Sequence, residues 1–189
     1  MSLTRNCNEA SNELSVLNRI ISEALNVQPI EINSKYFVPQ NRPRLYWTNI
    51  NVDEIPKKIP YYLKDILEKE VSDEYYLTDK QKSKLDFNYK WSVNDIIRHK
   101  AGKHQQDNIY RHDGIMCCLS ASTHGAARHL TKTYLPNGLI RRLTETEVEK
   151  LQGLPINYTD GVSSSKRYEM IGNGWTVDVI AHIFKNLKQ

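Results

Sequence analysis

The side chains of this 189-residue sequence best suited to chemistry alternate within one proline-rich stretch, Gln40-x-Arg42-x-Arg44. Alternate residues on extended backbone point the same way, so these three could share one face. A planar guanidinium pair can grip a phosphate and a base carbonyl together, because its donors form a fixed fork and its charge is permanent. A second collection, His99, His104, His112, His124, His129, Cys117 and Cys118, crowds one later segment. Its spacing matches no Cys-x-x-Cys plus His-x-x-x-His pattern, and adjacent cysteines are poor co-ligands for one tetrahedral ion. No metal is therefore expected, and these histidines read as nucleic-acid contacts or ordinary surface residues.

Charge singles out the same region. The net charge is +4, yet residues 98–142 alone carry eight basic and two acidic side chains, while the flanks are near neutral or slightly acidic. A basic segment between such flanks is the footprint of a polyanion-facing surface. Within it, Arg98, Lys100, Lys103, Arg111 and Arg128 supply cationic donors, and Ser120, Ser122, Thr123 and His124 are small or polar enough for close approach to DNA phosphates and base edges. No run approaches the roughly 20 apolar residues of a membrane span, and the first residues lack the apolar core of a signal peptide. Three cysteines, two of them adjacent, fit a reducing compartment, so a cytoplasmic protein is expected.

The elements that must hold these residues follow from periodicity. Residues 1–12 are polar and are expected to fray. Leu14, Leu17, Ile20, Ile21 and Leu25 recur at helical spacing up to Asn26. Val27 to Asn33 and Arg44 to Ile50 alternate as strands, and the intervening Pro39 to Arg44 is too proline-rich to be regular. Strand, loop and strand suggest a hairpin at the edge of a sheet that this chain cannot complete alone. Pro56 and Pro60 mark a connector. Tyr61 to Val71 reads as a charged helix with Tyr62, Ile66 and Leu67 inward, Thr78 as the cap of a helix through Leu85, and Ile109 to Gly114 as a strand and turn. Thr144 should cap a short helix with Glu147 at the box position, ended by Gly153 and Pro155. A Gly172-Asn173-Gly174 turn then opens a last helix with Val179, Ile180, Ile183, Phe184 and Leu187 as its apolar stripe.

The wording of these last stretches is more specific than their periodicity. Arg141-x-Leu143-Thr144-x-x-Glu147-x-x-x-Leu151-Gln152-Gly153-x-Pro155, followed by Gly172-Asn173-x-x-x-Val177-x-Val179, resembles motifs IX and X of the DNA cytosine-5 methyltransferases. Gln40-x-Arg42-x-Arg44, followed by Leu45-Tyr46-Trp47, resembles their motif VIII in the right order. The stretch between then resembles the target recognition region, with Cys118-Leu119 where many relatives carry Thr-Leu. Pro-Cys, Glu-Asn-Val and Phe-x-Gly-x-Gly, which in the family carry the nucleophile, an acid and the cofactor strand, do not occur in this sequence.

The resemblance implies an α/β fold: a partial Rossmann-like methyltransferase domain, strand hairpin plus C-terminal helix, with an inserted, mixed and partly irregular target recognition domain. The expected division is a tail at 1–12, catalytic pieces at 13–55 and 139–189, and recognition at 56–138. It implies that Arg42 and Arg44, with Gln40, hold a cytosine flipped out of duplex DNA, Arg44 nearest the base. It further implies that Asn173, Gly174 and Trp175 line the S-adenosylmethionine pocket and that motif IX is architectural. The chain is expected to be inactive alone, completed by an N-terminal half or subunit carrying Pro-Cys and Glu-Asn-Val, in a restriction-modification or phage self-protection setting. The alternative is a non-catalytic DNA-binding or regulatory remnant. A helix-turn-helix regulator built on 144–185 is disfavoured, because its last helix bears Val179, Ile180, Ile183 and Phe184 and few base-reading side chains.

Overall fold

The computed structural model describes residues 7–88, 97–99, 108–119 and 132–187, with side chains for all of these except 7–14 and 97–99. Helix α1 spans Cys7–Leu25 and stops where Asn26 takes a left-handed φ of 51°. It starts within the stretch expected to fray: Glu9, Ala10 and Glu13 are good helix formers, and they outweigh the neighbouring Asn and Ser. Strands β1 (Ile30–Asn33), β2 (Gln40–Asn41) and β3 (Pro43–Tyr46) follow. β1 and β3 form the expected antiparallel pair, Ile32 opposite Arg44. The loop between them is more regular than its prolines suggested, because Gln40 and Asn41 find a partner far along the chain.

Residues 61–71 do not form the expected helix. Only a single 3-10 turn forms at Leu63–Asp65, with Leu63 and Ile66 buried and Tyr62 turned outward. Tertiary partners hold the segment at both ends: Leu63 N donates to Gly114 O at 2.9 Å and Lys64 N to His112 O at 2.6 Å, and Glu68 N, which a continuing helix would give to Lys64 O, goes to Glu147 Oε1 at 2.7 Å. A further 3-10 turn covers Asp73–Tyr75. Thr78 caps α2 (Asp79–Lys82) with Gln81 in a capping box. That helix ends early because Leu85 enters strand β4 (Leu85–Asp86).

Strands β5 (Ile97–His99), β6 (Asn108–Arg111), β7 (Met116–Cys117), β8 (Lys132–Tyr134) and β9 (Ile140–Arg142) complete the strand set. β7 runs parallel to β2, pairing Met116 with Gln40 and Cys117 with Asn41. The others form a five-stranded sheet in the order β4-β5-β6-β8-β9, parallel only between β6 and β8. Leu77, Leu85, Ile109 and Ile140 pack together on it.

Helices α3 (Glu145–Leu151), α4 (Ser164–Asn173) and α5 (Val177–Phe184) close the chain. Thr144 and Glu147 make the expected capping box, and Gly153 ends the turn at φ 70°. A β-carbon at Gly153 would lie 2.9 Å from Asp178 Oδ2. Gly153→Ala should therefore cost about 1–2 kcal/mol from backbone handedness alone, read as a lower urea midpoint at unchanged slope.

Sequence reasoning missed α4, which shifts the Gly-Asn-Gly reading. Gly172 and Asn173 finish α4, Gly174 N caps it by donating to Met170 O and Ile171 O, and α5 starts only after Thr176. The spacing of Tyr168, Ile171 and Gly172, all buried, explains why the helix forms there. The α5 stripe is also narrower than expected. Val179 and Ile183 are buried with Ile32 against the β1–β3 hairpin, whereas Phe184 and Leu187 are more than half exposed.

Candidate functional site

α3 is a short helix whose first turn is acidic, as suits its N-terminus. Its three glutamates each hold a different part of the chain. Glu145 accepts from Tyr75 Oη at 2.6 Å and from Ser164 Oγ. Glu147, fully buried, receives both Arg141 terminal nitrogens at 2.6 and 2.7 Å, along with the Thr144 and Glu68 amides. Glu149, also fully buried, receives the Asn157 and Thr159 amides, the Thr159 hydroxyl and Arg167 Nη2. The largest core links this helix, through Val148 and Leu151, to Leu63, Tyr110, Met116, Leu119, Tyr168 and Ile171.

Burial pushes the carboxyls of Glu145 and Glu149 up, but their donors outweigh it. Ser164 and Tyr75 hold Glu145, and Thr159, Arg167 and Asn157 hold Glu149, below the ordinary value of 4.5. A carboxyl depressed in the folded state stabilises the fold above its unfolded value and loses that contribution as pH falls through the folded one. Urea midpoints should thus stay level in these two groups above 4.5 and decline below it. Glu149→Gln should flatten that decline.

The motif VIII residues sit against this platform. Gln40 is fully buried: its Nε2 donates to Leu151 O at 2.9 Å, and its Oε1 accepts from Leu119 N at 2.8 Å. Arg42 is 6% exposed and spans two segments. Its Nη2 donates to Gly172 O at 3.2 Å and Gly174 O at 2.9 Å, and its Nη1 to Leu119 O at 3.4 Å and Cys118 Sγ at 3.3 Å. Burial lowers the Arg42 pKa, opposed by Cys118 and assisted by Arg44.

Arg44 differs. It is exposed, with Nη1 on Pro43 O at 2.8 Å and Nη2 on Cys118 Sγ at 3.1 Å. The three side chains therefore do not share one face. Gln40 and Arg42 point inward, and Arg44, past the break at Arg42 and inside β3, lies on the surface, although both guanidinium groups reach the Cys118 sulfur. Cys118 and Leu119 follow strand β7 directly.

Asn173, Gly174 and Trp175 lie on the turn between α4 and α5. Asn173 is exposed and Trp175 is 70% exposed, while the Gly174 carbonyl is held by Arg42 and by Gln152 Nε2 at 3.3 Å. An exposed indole beside an exposed carboxamide, on backbone anchored from below, has the ring face and polar donors that an adenosyl group needs. The residues present fit such a ligand on one side.

Among the expected DNA contacts, Arg111 ends β6 half-buried and pairs with Asp113 at 2.6 Å, and Arg98 lies in β5, where only its backbone is described. Lys100, Lys103, Ser120, Ser122, Thr123, His124 and Arg128 lie outside the described residues. Among the described residues no three His, Cys, Asp or Glu side chains converge as a metal group; His99, His104, His124 and His129 fall outside the described side chains. No helix of the described chain is long and apolar enough to cross a membrane.

Sequence reasoning missed Gln152, Thr176 and Ser34. Gln152 is fully buried, donates to Ile171 O at 2.9 Å and accepts from Thr176 Oγ1 at 2.8 Å; Ser34 Oγ bonds Thr176 Oγ1 at 2.9 Å. The signal for Gln152 was a polar amide directly after the buried Leu151, at the end of α3.

Comparison with known proteins bears on the family and the fold. Residues 8–189 match the family described as C-5 cytosine-specific DNA methylase. The Type II methyltransferase M.HpaII of Haemophilus parainfluenzae is 27% identical over 182 residues, covering 81% of this chain and 48% of its own length. The chain thus spans about half the length of this curated relative. The Entamoeba histolytica methyltransferase EhMeth superimposes with a TM-score of 0.60 at 17% identity, covering 90% of this chain and 58% of that one. The S. pombe Dnmt2 methyltransferase gives 0.59 at 15% identity, covering 88% and 59%. These two likenesses establish a methyltransferase-like mixed α/β fold. The match over nearly the whole chain shows that this protein belongs to the C-5 cytosine-specific DNA methylase family.

Proposed function

We propose that this chain is the C-terminal part of a DNA cytosine-5 methyltransferase: it recognises duplex DNA and completes the site at which a flipped cytosine is methylated at C5. The observation that carries this reading is the junction described above, where the motif VIII side chains join Cys118–Leu119, within the expected recognition region, to the Gly172–Thr176 turn. Residues 13–55 and 139–189 form pieces of a partial Rossmann-like catalytic domain, and 56–138 form the recognition domain. Enzymes of this family take the methyl group from S-adenosylmethionine. In this chain Asn173, Gly174 and Trp175 would border that cofactor. Arg44 projects a cation where the flipped base carbonyl gains negative charge as its ring is attacked, and a preorganised guanidinium stabilises such charge. Gln40 and Arg42 hold the frame from inside. Arg111 and the basic stretch that starts at Arg98 carry the DNA backbone.

The chain is inactive alone. Pro-Cys and Glu-Asn-Val are absent from its 189 residues, and the surface suits a second half. Val16, Leu17 and Ile20 of α1 are each about half exposed, as are Phe184 and Leu187. The β1–β3 sheet has only two strands among the described residues, fewer than an independent sheet needs. A stretch of polypeptide bearing the missing motifs covers these faces.

Mixing this chain with a chain from the adjoining reading frame that carries Pro-Cys and Glu-Asn-Val should give a one-to-one complex in sedimentation. That complex should bind duplex DNA with an affinity falling steeply with salt, by about 0.9 log units per log unit of salt for each phosphate neutralised. Separate sedimentation of the two chains, with no duplex binding at low salt, would rule the reading out.

A further inference from the structure

We infer that Gln40, Arg42 and Gln152 are positioning residues that make the Cys118–Leu119 segment and the Gly172–Thr176 turn open and close as one unit. For what the two ends bind, this rests on the proposed function; the coupling itself rests only on the geometry.

Leu119 is held at both backbone groups, its N–H by Gln40 Oε1 at 2.8 Å and its carbonyl by Arg42 Nη1 at 3.4 Å. The same two side chains reach the other end. Arg42 Nη2 holds the Gly172 and Gly174 carbonyls, and Gln40 Nε2 lies 3.4 Å from Gln152 Oε1. Gln152 grips the turn at four points: Ile171 O, Gly174 O, Thr176 Oγ1, and Val177 N, which donates to the Gln152 carbonyl at 2.8 Å. Gly174 O is therefore shared by Arg42 and Gln152, so neither end can shift without stranding a buried donor. A stranded buried donor costs more than the bond itself contributes, and a fully satisfied buried network accordingly has two states, closed or broken. Duplex DNA that holds Cys118–Leu119 would then also fix the turn bearing Asn173 and Trp175, and a ligand on that turn would hold Leu119 by the same amount.

The test is amide hydrogen exchange on the full chain. Arg42→Lys keeps the charge but not the fork. It should speed exchange at Leu119, Gly174 and Val177 together, by about tenfold, the equivalent of one hydrogen bond. Leu77 and Leu135, whose amides bond Ile140 O and Leu139 O away from the network, should be unchanged. Gln152→Met is the second variant, and it serves even where Arg42→Lys does not fold. Gln152 touches neither backbone group of Leu119, so faster exchange there supports the coupling. Unchanged exchange at Leu119 in Gln152→Met, or equal acceleration at Leu77 and Leu135, would overturn it. Failure of the functional reading looks different: a duplex probe would then alter no amide, while the correlation between Leu119 and Val177 persists.

Discussion

Replacing Glu147 with glutamine should destabilise this protein by about 3–5 kcal/mol, the cost of leaving one partner of a buried ion pair alone. Arg141 and Glu147 have side chains 1% and 0% exposed, and they meet through two hydrogen bonds. Without the carboxylate, Arg141 remains a buried cation, and the Thr144 and Glu68 amides lose charge-assisted bonds to an acceptor. The double variant Arg141→Met with Glu147→Gln should recover part of that loss, because no buried charge is then unpaired and the glutamine oxygen still accepts from a backbone amide. Urea denaturation of the two variants checks both figures. A loss below about 1 kcal/mol for the single variant, the scale of an exposed pair, would mean that the pair is hydrated.

The second large effect separates chemistry from framework. Arg44→Ala should lower kcat of the complete enzyme by about a hundredfold or more, the scale of removing one donor from a developing charge, with an unchanged thermal midpoint. Its contacts in the chain are its neighbour's carbonyl and the Cys118 sulfur, and it is exposed. Arg42→Ala should do the reverse in kind. It strands the Gly172 carbonyl, takes one of two donors from the Gly174 and Leu119 carbonyls, and should lower the thermal midpoint first. Steady-state kinetics beside thermal unfolding on the two variants tells them apart. Equal midpoint losses would remove the distinction between an outward and an inward guanidinium.

Local signals carried the helices and caps that sequence reasoning located. Thr144 and Glu147 stand at capping-box spacing before an apolar pair, and α1 follows from Leu17, Ile20 and Ile21 at helical intervals. The β1–β3 hairpin was legible from alternation. What escaped depends on contacts distant in sequence. Tyr61 to Val71 has a helical pattern, but its amides are taken by Gly114, His112 and Glu147. Gln40 and Asn41 became a strand only because Met116 and Cys117 lie beside them. The candidate site divides in the same way. Motif wording marked Gln40, Arg42 and Arg44 as a set, while burial sorted them into two struts and one exposed cation, a distinction that alternation on a strand cannot express. Gln152 acquires its role only because α4, absent from the sequence reading, delivers the Ile171 carbonyl to it.

The most direct test of the central claim is transfer of labelled methyl groups from S-adenosylmethionine to unmethylated duplex DNA. It should be run with this chain alone, with the candidate chain bearing Pro-Cys and Glu-Asn-Val alone, and with both. The account predicts incorporation at cytosine C5 only in the mixture, abolished or strongly reduced by Arg44→Ala in this chain. Duplex binding by this chain with no transfer in the mixture would contradict it in favour of a non-catalytic DNA-binding module, and transfer by this chain alone would show that its nucleophile had been misplaced.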